Sequence, residues 1–355
     1  MTGLPRGGAD PLARAGEALR ASPLRWAVTG VAGFIGSALL EWLLEHGQTV
    51  AGIDDFSTGK PSNLRAALDA SSSGAGTFRL VEGSILDPGA CREAVRGADV
   101  VLHQAAEVSV PGSLDDPVRN TEVNVLGTVA VLAAARDAGA RRVVYASSSA
   151  VYGDSGHARN SEADAPRPLS PYGVSKHVDE LYARVFGSAF AAETAGLRYF
   201  NVFGPRQDPN GHYAAVIPRW TAALLAGEPC RIFGDGESTR DFVPIRDVVQ
   251  ANVLAATAPA AALAGGGVFN VARGEGTSLN VLFGVIRDAL AVHVPGLAAR
   301  TPVYEPPRPG DIRHSVADVE RIRSALGFAP SPGLEGPLGE TVAWYAAAGT
   351  APRPG

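Results

Sequence analysis

VTGVAGFIGS, residues 28–37, joins two different hydrophobic rhythms. Residues 26–29 form a short apolar run ahead of it, and residues 37–46 have the three-and-four spacing of a helix behind it. Between them Gly30, Gly33 and Gly36 make G-x-x-G-x-x-G. A backbone without side chains can turn tightly there and approach a diphosphate closely. The helix that follows offers its unpaired N–H groups to the anion. Asp54 lies 18 residues beyond Gly36, at the end of the next apolar run, residues 49–53. A carboxylate at that place suits the two hydroxyls of an adenosine ribose and repels a 2′-phosphate, so the unit predicts NAD rather than its phosphorylated form. Asp55, next to it, competes for this role.

Outward from this unit the same alternation continues. Apolar runs at residues 78–82, 100–103, 142–146 and 197–200 read as buried strands, and residues 88–96, 118–138 and 172–190 read as helices between them. Such alternation predicts an α/β fold, a Rossmann-type doubly wound parallel sheet covered on both faces. After residue 200 the rhythm breaks into short elements rich in Pro and Gly, which predicts a smaller C-terminal α/β lobe for the substrate. The expected division is residues 26–200 plus 242–272 for the NAD-binding domain and 201–241 plus 273–345 for the second lobe. Residues 1–25 form an extension holding an outer helix at residues 10–21, and 346–355 form a tail. Residues 71–76, SSSGAG, read as a mobile loop.

Composition narrows the partners. The net charge of −5 leaves no basic stripe for nucleic acid. No apolar run is long enough to span a bilayer, and residues 1–25 lack a signal-peptide core. Two cysteines, Cys91 and Cys230, make no disulfide framework, and no His/Cys cluster has metal-ligand spacing. The expected location is the cytoplasm, with no metal.

Only two of the 31 basic residues are lysines, Lys60 and Lys176. A site that needs a compact ammonium would resist replacement by the planar guanidinium. Lys176 stands four residues after Tyr172, so on a helix the two side chains share a face. A phenol near its usual pKa is a poor base, but a neighbouring ammonium stabilises the phenolate. Tyr172 could then take a proton from a sugar hydroxyl while hydride leaves the same carbon. Ser147, Ser148 and Ser149 follow an apolar strand, where hydroxyls can reach the ligand crevice of a parallel sheet.

Taken together, VTGVAGFIGS (28–37), HQAA (103–106), YASSSAVYGD (145–154), SPYGVSK (170–176), RYFNVFGPRQDPNGHYAAVIP (198–218) and GDGESTRDF (234–242) resemble the extended short-chain dehydrogenase/reductase family. Within it they resemble the nucleotide-sugar 4-epimerases, in particular the bacterial ones acting on UDP-N-acetylglucosamine. The resemblance implies a UDP-sugar substrate, NAD as cofactor, and a homodimer formed through two helices, here those at residues 118–138 and 172–190. It implies Tyr172 as the base, Lys176 as the holder of the nicotinamide ribose, and Ser148 as a partner in the proton shuttle. The implied cofactor set adds Phe34, Ile35, Ser57, Thr58, Gly59, Ser84, Ile85, Gln104, Ala105, Ala106, Asn124, Ala146, Ser147 and Tyr199. The implied substrate set is Ser109, Ser148, Ser149, Tyr172, Tyr199, Asn201, Ala215, Val216, Arg240, Arg308, Asp311 and Ser315. In it Arg240 and Arg308 pair with phosphates and Asp311 takes the uridine ribose. One departure is Gly83-Ser84-Ile85, where the family often has an aspartate for the adenine amino group.

Sugar dehydratases and uronic acid decarboxylases share the glycine turn and the Tyr/Lys pair. In those families the segment before the Val-Tyr-Gly tripeptide carries carboxyl groups, whereas this chain has Ser149 and Ala150. Without an acid and base there, elimination after oxidation loses its means. UDP-glucuronic acid epimerases usually have Thr in place of Asn201. A non-catalytic NAD sensor would have no need of the Tyr/Lys pair. The resemblance implies that the residue four places after Asp311 packs against the sugar; Ser315 there leaves room for an N-acetyl group at C2 where an aromatic side chain would crowd it, so UDP-GlcNAc and UDP-GalNAc are the expected substrates, with UDP-Glc and UDP-Gal beside them.

Overall fold

In a computed structural model the chain is described over residues 10–210, 214–263, 267–294, 296–307, 311–347 and 349. The first lobe starts with α1 (Pro11–Ala21), β1 (Arg25–Thr29), α2 (Phe34–Glu45), β2 (Thr49–Asp54), α3 (Pro61–Ala70) and β3 (Thr77–Glu82). It continues with α4 (Pro88–Val95), β4 (Val100–His103), α5 (Val110–Asp115), α6 (Pro117–Thr121), α7 (Gly127–Asp137), β5 (Arg142–Ser148), α8 (Pro171–Phe190) and β6 (Glu193–Tyr199). Then come β7 (Asn201–Phe203), α9 (Val216–Leu225), β8 (Arg231–Phe233), β9 (Thr239–Pro244), α10 (Ile245–Thr257), β10 (Val268–Val271) and β11 (Gly276–Ser278). The chain ends in α11 (Leu279–Ala291), β12 (Val303–Glu305), β13 (His314–Ser315), α12 (Glu320–Leu326) and α13 (Glu335–Ala347).

Seven strands form one sheet in the order β10-β6-β5-β4-β1-β2-β3, with every pairing parallel. The strand period of two explains how both faces are covered. Trp26, Val28, Val100, Leu102 and Val144 point to one face and pack with Leu39 and Leu43 of α2, Val249 and Val253 of α10, and Ile322 of α12. Ala27, Val101 and Val143 point to the other and meet Cys91 and Val95 of α4, Val131 and Leu132 of α7, and Phe186 of α8. Each such fully buried aliphatic side chain contributes roughly 1.5–3 kcal/mol. The Rossmann-type fold expected from the alternation is the one observed.

The second core is smaller. Phe203, Trp220, Leu224, Ile232, Phe242, Leu282, Ile286, Leu338 and Val342 join β7 to β9 with α9, α11 and α13. Its sheet, β11-β9-β13 with β7 also on β9, uses strands of two to six residues drawn from distant parts of the chain. Between these pieces α10 and β10 return to the first sheet.

Three local expectations need correction. The helix expected at residues 118–138 is broken into α6, a π-helical turn at Glu122–Leu126, and α7. That turn holds Asn124, whose side chain is tied to two other segments (below), and π turns of this kind often serve functional positions. Residues 71–76 are no loose loop: Gly76 N–H donates to Leu44 C=O at 3.2 Å. A Cβ at Gly74 would stand 2.4 Å from the Leu44 oxygen, so the backbone itself is packed there. The outer helix α1 is part of the core, through Leu12 and Leu19. Gln48 docks it, accepting from Leu24 N–H and Trp26 Nε1 and donating to Leu19 C=O. Among the described residues no helix is long and apolar enough to cross a membrane.

Candidate active site

The carboxyl ends of β1, β2, β4 and β5 face the second lobe across a cleft of about 1130 Å³. Open parallel sheets bind ligands at this edge. Of the residues singled out from the sequence, the structure brings all but four onto its wall. Asn124, Ser149 and Ser315 do not line it, and Arg308 lies outside the described residues.

The glycine turn is built by close backbone approach. Gly30 has φ of +66°, a left-handed conformation that favours glycine, and a Cβ at Gly36 would stand 2.0 Å from the Gly30 oxygen. α2 starts at Phe34, three residues earlier than its apolar spacing suggested, and no side chain caps its first N–H groups. Gly30, Gly33 and these N–H groups fit a diphosphate. Asp54 is 7% exposed, and its oxygens accept from Ala32 N–H at 2.8 Å and Phe56 N–H at 2.9 Å. The carboxylate thus braces the turn, and burial raises its pKa despite those bonds. Each oxygen retains a second lone pair for a ribose hydroxyl. Asp55 is exposed on the same wall. Burial opposes its ionisation, but hydrogen bonds from Ser57 and Ser84 and the charge of Arg119 hold it below the usual range. Ser84, the residue that departs from the family pattern, is therefore coupled to an acid on this wall.

At the other end of the cleft, Ser170 caps α8, its Oγ accepting from Gly173 N–H, and Pro171 takes the first helical position. Ser113 of α5 accepts from Tyr172 N–H. Tyr172 and Lys176 consequently sit in the first turns of α8, both buried and both on the cleft wall, beside Ser148. Ser148 Oγ accepts from Ala150 N–H at 3.1 Å, and its own proton is free to donate.

Three serines at a strand end do not share one direction. Ser147 is 2% exposed and donates to Glu180 Oε1 at 2.6 Å, so its hydroxyl proton is committed to α8. Ser149 turns away in a 3₁₀ turn, Ser149–Val151. Asn124 likewise makes no cleft contact. Its Oδ1 accepts from Glu107 N–H, and its Nδ2 donates to Glu107 C=O and Ser175 Oγ, tying the segment after β4 to α8. The Tyr199 hydroxyl, expected against the sugar, donates to Gln104 Oε1 and accepts from Asn252 Nδ2. Gln104 also donates to Asn252, so the three side chains close a ring of hydrogen bonds under the cleft. Asn252 was missed by the sequence reading; a polar residue within the apolar run of α10 was its only signal.

The second lobe brings Arg206, Arg219, Arg231 and Arg240 to the wall, with Asn201, Ala215, Val216 and Asp311. Lys60, Arg119 and Lys176 come from the first lobe, against Asp54, Asp55, Glu107, Asp208 and Asp311 in all. The wall itself carries more cations than anions, although Arg206 and Arg231 are already paired with Glu41 and Glu305; guanidinium groups gathered there suit a ligand carrying phosphates. Arg206, Arg219 and Arg231 were not foreseen, because a loop, α9 and β8 bring them to the cleft only through tertiary packing. Lys60 bridges the lobes, 2.7 Å from Asp208. Ser315 lies half-buried on β13, in register with Arg240.

Residues 26–272 match the model of the NAD dependent epimerase/dehydratase family. The chain is 40% identical to the UDP-glucose 4-epimerase of Mycolicibacterium smegmatis over 91% of its length and 98% of that protein. Among solved structures it is similar to the UDP-glucose 4-epimerase of Thermotoga maritima with UDP-glucose (34% identity, TM-score 0.81). That match covers 92% of this chain and 99% of the other. It is similar also to the UDP-N-acetylglucosamine 4-epimerase of Methanobrevibacter ruminantium in complex with UDP-N-acetylmuramic acid (35% identity, TM-score 0.82, the same coverage). With the glycine turn, its acids and the Tyr/Lys pair on one cleft, the chain belongs to the NAD dependent epimerase/dehydratase family.

Proposed function

We propose that this protein inverts C4 of a UDP-sugar, interconverting UDP-glucose with UDP-galactose and UDP-GlcNAc with UDP-GalNAc. The observation that carries the reading is Tyr172, Lys176 and Ser148 in one cleft with Arg206, Arg219, Arg231 and Arg240. NAD, when bound, supplies the reversible two-electron acceptor for the sugar carbon. Tyr172 takes the C4 hydroxyl proton and later returns it, and Ser148 hydrogen-bonds the same oxygen. The Lys176 ammonium favours the phenolate. The 4-keto sugar turns in the cleft and is reduced from its other face. Arg240, with Arg206, Arg219 and Arg231 nearby, holds the diphosphate, and Asp311 the uridine ribose.

The strand end argues against dehydration. Ser149 and Ala150 stand in the 3₁₀ turn beside Ser148, and neither can serve as acid or base. The relatives named above support glucose and N-acetylglucosamine configurations alike. A homodimer is supported by a row of exposed apolar side chains, Leu114, Val118, Leu126, Val174, Val185 and Phe190, on α5 to α8. The test is to incubate the purified protein with each of these UDP-sugars, and with UDP-glucuronic acid, without added NAD, and to read the products by NMR. C4 epimers from the neutral sugars are the expected outcome. A 4-keto-6-deoxy product, or no product from any of them, would overturn the reading.

A further inference from the structure

Lys176 is met from within its own helix. Its Nζ lies 3.2 Å from Asp179 Oδ2, and the two side chains are 3% and 1% exposed. Asp179 Oδ1 makes no hydrogen bond among the described residues. Among the described residues no other carboxylate pairs with this ammonium. Glu180, the next residue, is taken up by Arg198, whose Nε and Nη2 lie 2.8 and 2.7 Å from its oxygens, and by Ser147. His177 on the same helix faces Glu180 at 3.7 Å. Tyr145 of β5 is buried and held in its neutral phenol form. His103 of β4 is pushed down to about 3, first by burial and then by Lys176, so it is a neutral imidazole between Thr29 and Thr128. Thr128 of α7 stands beside Asp179 and favours its ionised form.

An ammonium buried this deeply without a counter-charge sheds its proton readily. A neutral lysine would exert no field on Tyr172. We propose that Asp179 is a positioning residue that supplies this counter-charge, keeping Lys176 protonated and its side chain in one place behind Tyr172. The proposal rests on the reading of Tyr172 as proton carrier, but the charge of Lys176 can be measured without reference to it. The cost to Asp179 is visible: burial lifts its carboxyl to about 6 even with Lys176 beside it. Removing one member of a buried pair leaves the other charge uncompensated.

The two-lysine composition makes the measurement direct. Protein grown on lysine labelled with ¹³C at Cε gives two signals, and Lys60→Arg assigns them. With the isolated protein and its cofactor, the Lys176 signal of the wild type is expected to be that of an ammonium at pH 7. It should also show an inflection near pH 6, where Asp179 ionises. In Asp179→Asn the Lys176 signal should turn to that of the neutral amine at lower pH than in the wild type, and kcat at pH 7 should fall by the same fraction as the ammonium population, with little change in KM. An unchanged Lys176 midpoint in Asp179→Asn would overturn the proposal. Should that variant fail to fold, an unchanged Lys176 midpoint in the smaller Asp179→Ser would overturn it equally. Should Tyr172→Phe retain turnover, the proton-carrier reading falls while the lysine titration stands by itself.

Discussion

Each lobe buries a carboxylate next to the cleft, and the two are kept in opposite ways. In the first lobe burial alone would raise Glu180, but Arg198, His177 and Ser147 bring it down to about 2. In the second lobe Asp241 is also fully buried, yet its partners are backbone N–H groups, from Arg273, Gly274 and Ala317. Burial dominates there and lifts it to about 6. The first lobe fixes its side of the cleft with long strands and side-chain charge pairs. The second gathers strands of a few residues around one acceptor that collects their N–H groups. A rigid wall suits proton transfer, which needs fixed geometry; a wall stitched from separate segments suits binding a large flexible ligand.

If that division holds, substitutions on the two walls separate kinetically. Tyr172→Phe should lower kcat by about a thousandfold, the range of general acid–base catalysis, with KM and bound NAD unchanged; NMR assay and cofactor extraction check it. A KM effect alone would erase the distinction. Glu180→Gln should lower the unfolding free energy at pH 7 by about 3 kcal/mol, since it leaves the buried Arg198 cation without its charge. Denaturant titration measures this. Arg240→Ala, on the second wall, should instead raise KM by about tenfold or more with kcat nearly kept, as loss of one charged hydrogen bond of about 1.5–3 kcal/mol implies.

The two carboxylates also predict opposite responses to acid. Glu180, depressed from its ordinary 4.5, contributes stability that is complete above that pH and is lost as pH falls towards 2. Asp241, raised from its ordinary 3.8, behaves inversely. Its contribution is complete below pH 3.8 and lost as pH rises through 6. Denaturant titrations across pH 3–8 should therefore show Asp241→Asn flattening the slope between 4 and 6. Glu180→Gln should leave that slope and alter only the region below 4.5. The smallest effect concerns Ser315. Ser315→Tyr should reduce kcat/KM on UDP-GlcNAc several-fold more than on UDP-glucose; equal loss on both would remove this residue from substrate choice.

The same contrast decides what the sequence reveals. β1, the glycine turn and α2 are contiguous, so their pattern of apolar residues and glycines states both the fold and the diphosphate cradle. Tyr172 and Lys176 are legible for the same reason: four residues on one helix need no tertiary information. Ser147, Asn124 and Tyr199 are expected at the ligand, and each also hydrogen-bonds a distant segment through its side chain. Which way a strand-end hydroxyl turns depends on a neighbour 33 residues away, Glu180. Arg206 and Arg219 reach the cleft from a loop and from α9, and Arg231 from β8, which pairs with residues 303–305, while β9 pairs with residues 201–203, 276–278 and 314–315. No local period encodes such pairings.

β10 carries a consequence for how the molecule is made. It closes the sheet against β6, with Val268 opposite Gly196. Everything between them, including Arg206, Arg219, Arg231 and Arg240, leaves the ribosome first. Until residue 271 has emerged, β6 presents an open strand edge, a surface that invites pairing with another chain. A transcript cut short anywhere in residues 200–267 would encode a nearly complete Rossmann sheet with its last seam unsewn, and its expected fate is aggregation in place of a free-standing NAD-binding domain.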